Sequence, residues 1–316
     1  MDALLKDNPS PVVVDFGELF DFDEDDYDTS SEPRKKASMW IKDGIYIRPS
    51  TNIEQLYKLS PGVYKVGYDP NYGYQCQEIT IKTDELYIFE ENNTKELLDE
   101  INNFWTKKEL YKKNNLIHKR GILLEGGPGT SKSSTITLLI NQLISNGGIV
   151  FLINSVNEFI KYVTFLTEYF RYIEPNTPLI TIIEDLDTYN NVEVQLLDFL
   201  DGKSNIEHHV IIATTNNSEE ISDCILRPSR FDLRIQFNNP SENTRRTFFI
   251  NKGVKKEDLE QLVNLTDNFS FADLKEIFIS IYLLDYTIED AAEKIKNPLQ
   301  KRNYKKNLLN KSTIGF

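Results

Sequence analysis

Gly126-Gly127-Pro128-Gly129-Thr130-Ser131-Lys132-Ser133 is the stretch that most narrows what this chain can be. An apolar run, Gly121-Ile122-Leu123-Leu124, precedes it, and Ser134 to Ile144 follow with apolar residues at helical spacing. A strand, a glycine-rich turn and a helix N-terminus in succession bring backbone N–H groups and the positive end of a helix dipole to one point. A triphosphate suits such a point. Lys132 is spaced to reach the β- and γ-phosphates and the Ser133 hydroxyl to ligate Mg²⁺, with Gly126 through Ser134 forming the cradle. Ser131 stands where the G-x4-G-K-[ST] pattern has its second glycine. A glycine loop serving only a tight turn is the alternative, and the strand before it and the helix after it argue against that.

Length, charge and cysteine usage exclude several classes. A chain of 316 residues can bury a substantial core, and two domains are expected. A net charge of −13 argues against a surface that grips nucleic acid throughout, although local basic patches stay open. Cys76 and Cys224 are the only cysteines, and His118, His208 and His209 have no ligand spacing, so neither a disulfide framework nor structural zinc is expected. No apolar run approaches the roughly 18 residues of a membrane span, and Met1-Asp2 lacks the positive start of a signal peptide. A cytoplasmic protein is expected, in a host cell if the chain is viral; the bias toward Ile, Asn and Lys suggests an AT-rich genome.

The chain divides by composition. Residues 1–36 hold the acidic run Asp15 to Asp28, DFGELFDFDEDDYD, with Phe16, Phe20, Phe22 and Tyr27 interleaved and no basic residue. Such a run is expected to be disordered in isolation; it reads as a solubilising tail, as a docking peptide for a basic partner, or as a mimic of a nucleic-acid backbone. Residues 37–92 contain MWIKDGIYI, GVYKVGYD, YQCQEITIK and ELYIF between turn residues, the pattern of a small β-rich unit. Residues 93–115 read as a connecting helix. Within 116–239, Ile149 to Ile153, Leu179 to Ile183, Val210 to Thr214 and Leu233 to Phe237 join Ile122 to Leu124 as five strand-length apolar runs. Segments long enough for crossover helices separate them, so an α/β domain with a five-stranded parallel sheet covered on both faces is expected. Residues 240–296 turn helical, with Ser270 and Asp273 at capping-box spacing. Residues 297–316 continue a basic stretch that begins at Lys294. That stretch is a solvated end, or it pairs with the acidic segment of a neighbouring subunit or touches nucleic acid.

The third apolar run ends Ile182-Ile183-Glu184-Asp185-Leu186-Asp187. Carboxylates at the C-terminal end of a buried parallel strand lie where α/β sheets bind ligands. Of Glu184 and Asp185, one is suited to hold magnesium and the other to orient or deprotonate an attacking water. Helix capping is the plainer use for any single one of them.

With these motifs in order, the chain from about Leu116 to Ile295 resembles the AAA family of ATPases. GGPGTSKS is similar to its Walker A loop, IIEDLD to Walker B, ATTNN to the sensor strand, ILRPSRFD to the arginine-finger region and FSFADL to the start of the helical lid. The resemblance implies that Asn216 positions water near the γ-phosphate. It implies that Arg227 and Arg230 reach the ATP of the adjacent subunit, and that Ala272 lies near the nucleotide as the lid closes. A finger supplied in trans implies a ring of copies, six in the family's usual form; ion pairing on the surface is the other use for these arginines. The Glu184-Asp185 order departs from the usual Asp-Glu and matches the branch containing the mitochondrial translocase of the Rieske protein. The N-terminal region is reminiscent of phage-encoded members. Ser229 and Phe271 replace two further glycines. Threading members carry a pore aromatic near the position of Lys161-Tyr162-Val163, where Thr164 replaces a glycine and Tyr162 could equally face a helix core.

The implied activity is ATP hydrolysis with Mg²⁺ by a homo-oligomeric ring that remodels or translocates a protein client. A nucleic-acid motor or loader, and an ATP-gated scaffold with slow turnover, are the competing expectations.

Overall fold

In a computed structural model the described residues are 39–43, 45–50, 56–69, 73–81, 93–153, 159–188, 193–201 and 207–296. The acidic segment, the basic end and ELYIF lie outside them. A nine-stranded sheet runs in the order β1-β2-β4-β3-β6-β7-β8-β5-β9. Its strands are β1 (Met39–Asp43), β2 (Tyr46–Ser50), β3 (Gly62–Asp69), β4 (Gly73–Ile79), β5 (Lys119–Glu125), β6 (Ile149–Ile153), β7 (Leu179–Ile183), β8 (His209–Thr215) and β9 (Leu233–Gln236). The expected five parallel strands are β6, β7, β8, β5 and β9.

The β-rich stretch joins that sheet directly. β3 pairs in parallel with β6, Val63 opposite Val150, while β4, β2 and β1 follow antiparallel. The sequence pattern could not place this edge, because periodicity reports which side chains are buried and not which strand they lie beside.

Alternation along each parallel strand explains the two faces. Phe151, Ile153, Ile183 and Ile211 point one way, against Val163, Leu166 and Phe170 of α4 (Phe159–Ile173) and Leu196, Phe199 and Leu200 of α5 (Glu193–Asp201). Val150, Leu152, Ile180, Ile182 and Ile212 point the other way, against Ile136, Leu139 and Ile140 of α3 (Lys132–Ser145) and Leu97, Ile101 and Phe104 of α1 (Thr94–Trp105). The connecting helix predicted over 93–115 is two helices, α1 and α2 (Lys108–Lys113), separated at Thr106 and Lys107. A third cluster belongs to α6 (Glu242–Asn251), α7 (Lys256–Leu265), α8 (Phe271–Tyr282) and α9 (Ile288–Lys296). The Ser270–Asp273 capping box is formed. Leu284 lies beyond α8 and is 55% exposed. Among the described residues no helix is long and apolar enough to cross a membrane.

Three buried histidines sit at the opposite ends of β5 and β8 from the glycine loop. His118 Nε2 contacts the Phe104 carbonyl at 2.9 Å and its Nδ1 lies 3.0 Å from His208 Nδ1. A carbonyl can only accept, so His118 Nε2 carries a proton; with both rings neutral, His118 Nδ1 accepts and His208 Nδ1 donates. Burial pushes the His208 imidazole down to about 3, with Arg171 adding to the effect, and lowers His118 and His209 as well. Below the ordinary value the unfolded chain takes up protons that the folded chain refuses, so stability falls as pH falls from about 6.5. For His208 a loss of about 2 kcal/mol between pH 7 and pH 5 is expected, and His118 and His209 act in the same direction. Urea denaturation at the two pH values checks it, and His208→Gln should flatten the dependence; equal midpoints for the native chain would contradict it.

Candidate active site

The glycine loop leaves β5 and enters α3 at the C-terminal edge of the sheet, as the sequence predicts. The N-terminus of α3 has no side-chain cap and no acid in its first turn, so its N–H groups face open space without an internal anion. A cavity of about 890 Å³ lies there, lined by residues 128–134, Glu184, Asp185 and Asn216. Phe271, Ala272, Lys275, Phe278 and Leu283 close it from α8 and its end, and Phe248 and Lys252 from α6 and its end. The lid touches the loop: a Cβ on Gly129, whose φ is +79°, would lie 2.6 Å from Ser270 Oγ and 2.9 Å from Ala272 Cβ.

The ends of β5 and β8 meet at Lys132. Its Nζ donates to the carbonyls of Gly126 at 2.5 Å and Gly127 at 3.0 Å, and to Asn216 Oδ1 at 2.9 Å. Burial lowers its pKa, partly opposed by Asp185 and then Asp187. Asn216 Nδ2 donates to Asp185 Oδ1 at 3.1 Å. Lysine can only donate and a carboxylate only accept, so these two partners fix which way the Asn216 amide faces. Lys132, Asn216 and Asp185 thus form one chain of hydrogen bonds from the loop to the end of β7. The Glu184 carboxyl, half-buried, is raised above the usual carboxylate range first by burial and then by Asp185.

Sequence reasoning gave no role to Asp187. Its Oδ1 accepts from Thr215 Oγ1 at 2.9 Å and from the Asn216 N–H at 3.3 Å, so it ties the strand that carries Asn216 to the turn after β7. The Asp185 N–H is held by Thr214 Oγ1 at 3.0 Å, a second tie. Lys275 was also missed; its three-residue spacing from Ala272 on one helix was the available signal. Lys252 offered none.

Arg227 and Arg230 do not line the cavity. Arg227 is exposed. Arg230 grips Asp201 of its own chain with two bonds, Nε to Oδ1 at 2.5 Å and Nη2 to Oδ2 at 2.7 Å, and also donates to the Cys224 carbonyl. Their turn is pinned to the base of the loop strand: Asp232 N donates to the Gly121 carbonyl at 2.8 Å and Gly121 N to Asp232 Oδ2 at 2.9 Å. Only glycine fits, since a Cβ at position 121 would lie 1.7 Å from the Arg230 carbonyl oxygen. The side chains of Lys161 and Tyr162, the expected pore motif, lie outside the described residues, while Val163 beside them is fully buried.

Two of the three positions where the sequence departs from glycine carry a local backbone cost. Ser131 and Ser229 adopt φ of +79° and +77°, and Asp185 has φ of +52°. Ser131→Gly is expected to raise unfolding stability by about 1 kcal/mol, seen as a melting point about 2 °C higher. An unchanged or lower melting point would mean that the serine side chain compensates for its backbone.

The residues suit a nucleotide and its metal. The uncapped α3 N-terminus and the Lys132 ammonium suit phosphate oxygens, and the Ser133 hydroxyl, Glu184 and Asp185 are hard oxygen donors of the kind magnesium takes.

Comparison with known proteins agrees with this geometry. Residues 122–239 match the ATPase family associated with various cellular activities (AAA). The ATP-dependent zinc metalloprotease FtsH of Ralstonia pickettii is 27% identical over 260 residues, covering 71% of this chain and 36% of that protein. The proteasome-activating nucleotidase of Saccharolobus islandicus is 28% identical over 247 residues, 69% of this chain and 61% of its own. The 26S proteasome regulatory subunit 4 homolog B of Arabidopsis thaliana is 31% identical over 204 residues, 57% and 45% respectively. The chain thus spans between about a third and three fifths of the length of these relatives. Residues 122–239, with the loop, the β7 carboxylates and Asn216 around one cavity, are thus similar to the AAA family of ATPases.

Proposed function

We propose that this chain is the ATPase subunit of a homo-oligomeric ring, six copies in the family's usual form, that uses ATP hydrolysis to remodel a protein client. The hydrogen-bond chain from Lys132 through Asn216 to Asp185 carries the reading, because it links the phosphate-binding group to the carboxylate that would take the proton of an attacking water. In that reaction a water oxygen bonds to the γ-phosphorus and the bond to the ADP oxygen breaks. Asn216 orients the water and Asp185 accepts its proton. Ser133 and Glu184 would hold Mg²⁺, whose charge offsets that of the phosphates. Contact between Gly129 and the start of α8 gives lid movement a path to the loop.

The relatives favour a protein client over a nucleic acid, since their names describe a protease and proteasomal ATPases. The likeness to the Rieske-protein translocase branch rests on the Glu184-Asp185 order and that to phage proteins on the N-terminal region; the relatives named above lend neither support. An ATP-gated scaffold with slow turnover is the second reading, favoured by the left-handed backbone at both Ser131 and Asp185.

Arg230→Ala tests the ring. Nucleotide affinity should stay within about twofold while turnover falls by about 10³-fold, and mixing with Lys132→Ala subunits should restore part of it at interfaces that combine one good loop with one good arginine. Normal hydrolysis by an assembled Arg230→Ala ring would remove the trans-finger reading and leave Arg230 as the partner of Asp201.

A further inference from the structure

Residues 107–117 combine cationic charge and exposed apolar surface in a chain of acidic net charge. Lys107, Lys108, Lys112 and Lys113 stand against one acid, Glu109, in a protein of net charge −13. Leu110, Leu116 and Ile117 are 53%, 59% and 50% exposed. Local structure explains the grouping. Lys107, Leu110 and Lys113 follow at three-residue spacing along α2 and share a face. Asn115, with φ of +54°, reverses the chain, and the Leu116 N–H donates back to the Tyr111 carbonyl at 3.0 Å. Tyr111 meanwhile packs inward, its ring 4.9 Å from His118 and 5.8 Å from Phe104. The helix is therefore anchored by its aromatic residue and turns its leucine outward. Lys108 Nζ is bonded to Asn176 Oδ1. Lys107, Lys112 and Lys113 are exposed and form no salt bridge with another described residue.

A surface of this kind suits a ligand that is both acidic and aromatic. The chain contains one. Asp15 to Asp28 carries eight acids, no base, and Phe16, Phe20, Phe22 and Tyr27; it lies outside the described residues. We propose that the 107–117 face is the docking site for this segment, supplied by a second copy of the chain. Reach favours the second copy. From Asp28 to Met39 the chain spans at most about 38 Å fully extended. The β1 edge lies seven strand intervals from β5, about 34 Å across the sheet. Docking within one copy would need a nearly extended linker. The proposal requires a second copy of the chain but no ATP turnover.

The test uses the full chain with a photo-crosslinking amino acid in place of Phe20, mixed with isotope-labelled unmodified chain. Crosslinks to residues 107–117 of the labelled copy are expected, with a yield about tenfold lower in Lys107→Glu/Lys112→Glu/Lys113→Glu and reduced in 1 M salt. A milder Lys112→Gln/Lys113→Gln variant should lose about threefold, which keeps the test sound if the triple variant folds poorly. Crosslinks elsewhere, crosslinks only within one copy, or a yield indifferent to both variants would overturn the proposal. A labelled DNA duplex that binds through these lysines while no crosslink forms there would overturn it too, and assign the face to nucleic acid.

Discussion

Replacing Lys132 with alanine is expected to weaken ATP binding by about 100-fold, ~3 kcal/mol, more than any other single change in the cavity. The size follows from three properties of the ammonium. It is buried and turned into the loop; its three donors are held by Gly126, Gly127 and Asn216; and no carboxylate bonds it directly. An arriving phosphate therefore exchanges neutral acceptors for charged oxygens, and hydrogen bonds of that kind are the stronger ones. The variant also frees Asn216 from one of its two anchors, so residual turnover should fall along with affinity. Calorimetric titration with a non-hydrolysable ATP analogue measures the first effect. The melting point without nucleotide separates it from unfolding. Affinity within threefold of the native chain would mean that the α3 N-terminus alone holds the phosphates.

Asp185→Asn has the second largest expected effect, and of a different kind. Asparagine can still accept from Asn216 Nδ2 through its own Oδ1, so the hydrogen-bond chain to Lys132 survives while the proton acceptor is lost. Binding should stay within about threefold and kcat fall by 10²- to 10³-fold, on the order of what general-base removal costs. Single-turnover assays with a rapid quench read this directly, and bound ATP should persist on the variant. If Asp185→Asn turns over normally, the base is Glu184, whose carboxyl burial and Asp185 raise above the usual carboxylate range.

Much of the site was legible in the sequence because its parts are local. The loop, the carboxylates after β7 and the asparagine after β8 each follow a run of apolar residues, and each lies at the C-terminal end of a parallel strand. Periodicity located those ends, and adjacent strands brought them together, since Ile183 stands opposite Ala213 and Glu125 opposite Thr215. Asp187 was visible in the same motif yet gained no role. Its function depends on the Thr215 hydroxyl and the Asn216 N–H, 28 and 29 residues further on.

The arginines show where local reading ends. ILRPSRFD marks a turn rich in cations. That Arg230 is already bonded to Asp201, 29 residues earlier, follows only from packing that places the end of α5 beside that turn. The histidines are similar: spacing excluded a metal site, but the neutral His118–His208 pair arises because the start of β5 and the start of β8 are neighbours in the sheet.

The sequence by itself determined the strand-loop-helix suited to a phosphate, the five parallel strands and the lid's capping box, because each depends on residues within a few positions of one another. Tertiary structure alone decided that the N-terminal strands extend the core sheet at β3, that Lys132, Asn216 and Asp185 share one hydrogen-bond chain, and that Lys252 and Lys275 enter the cavity from the lid. The physical reason is the same in each case. Burial and backbone propensity are written in short-range patterns, whereas the partner of a polar group is chosen by how distant elements pack.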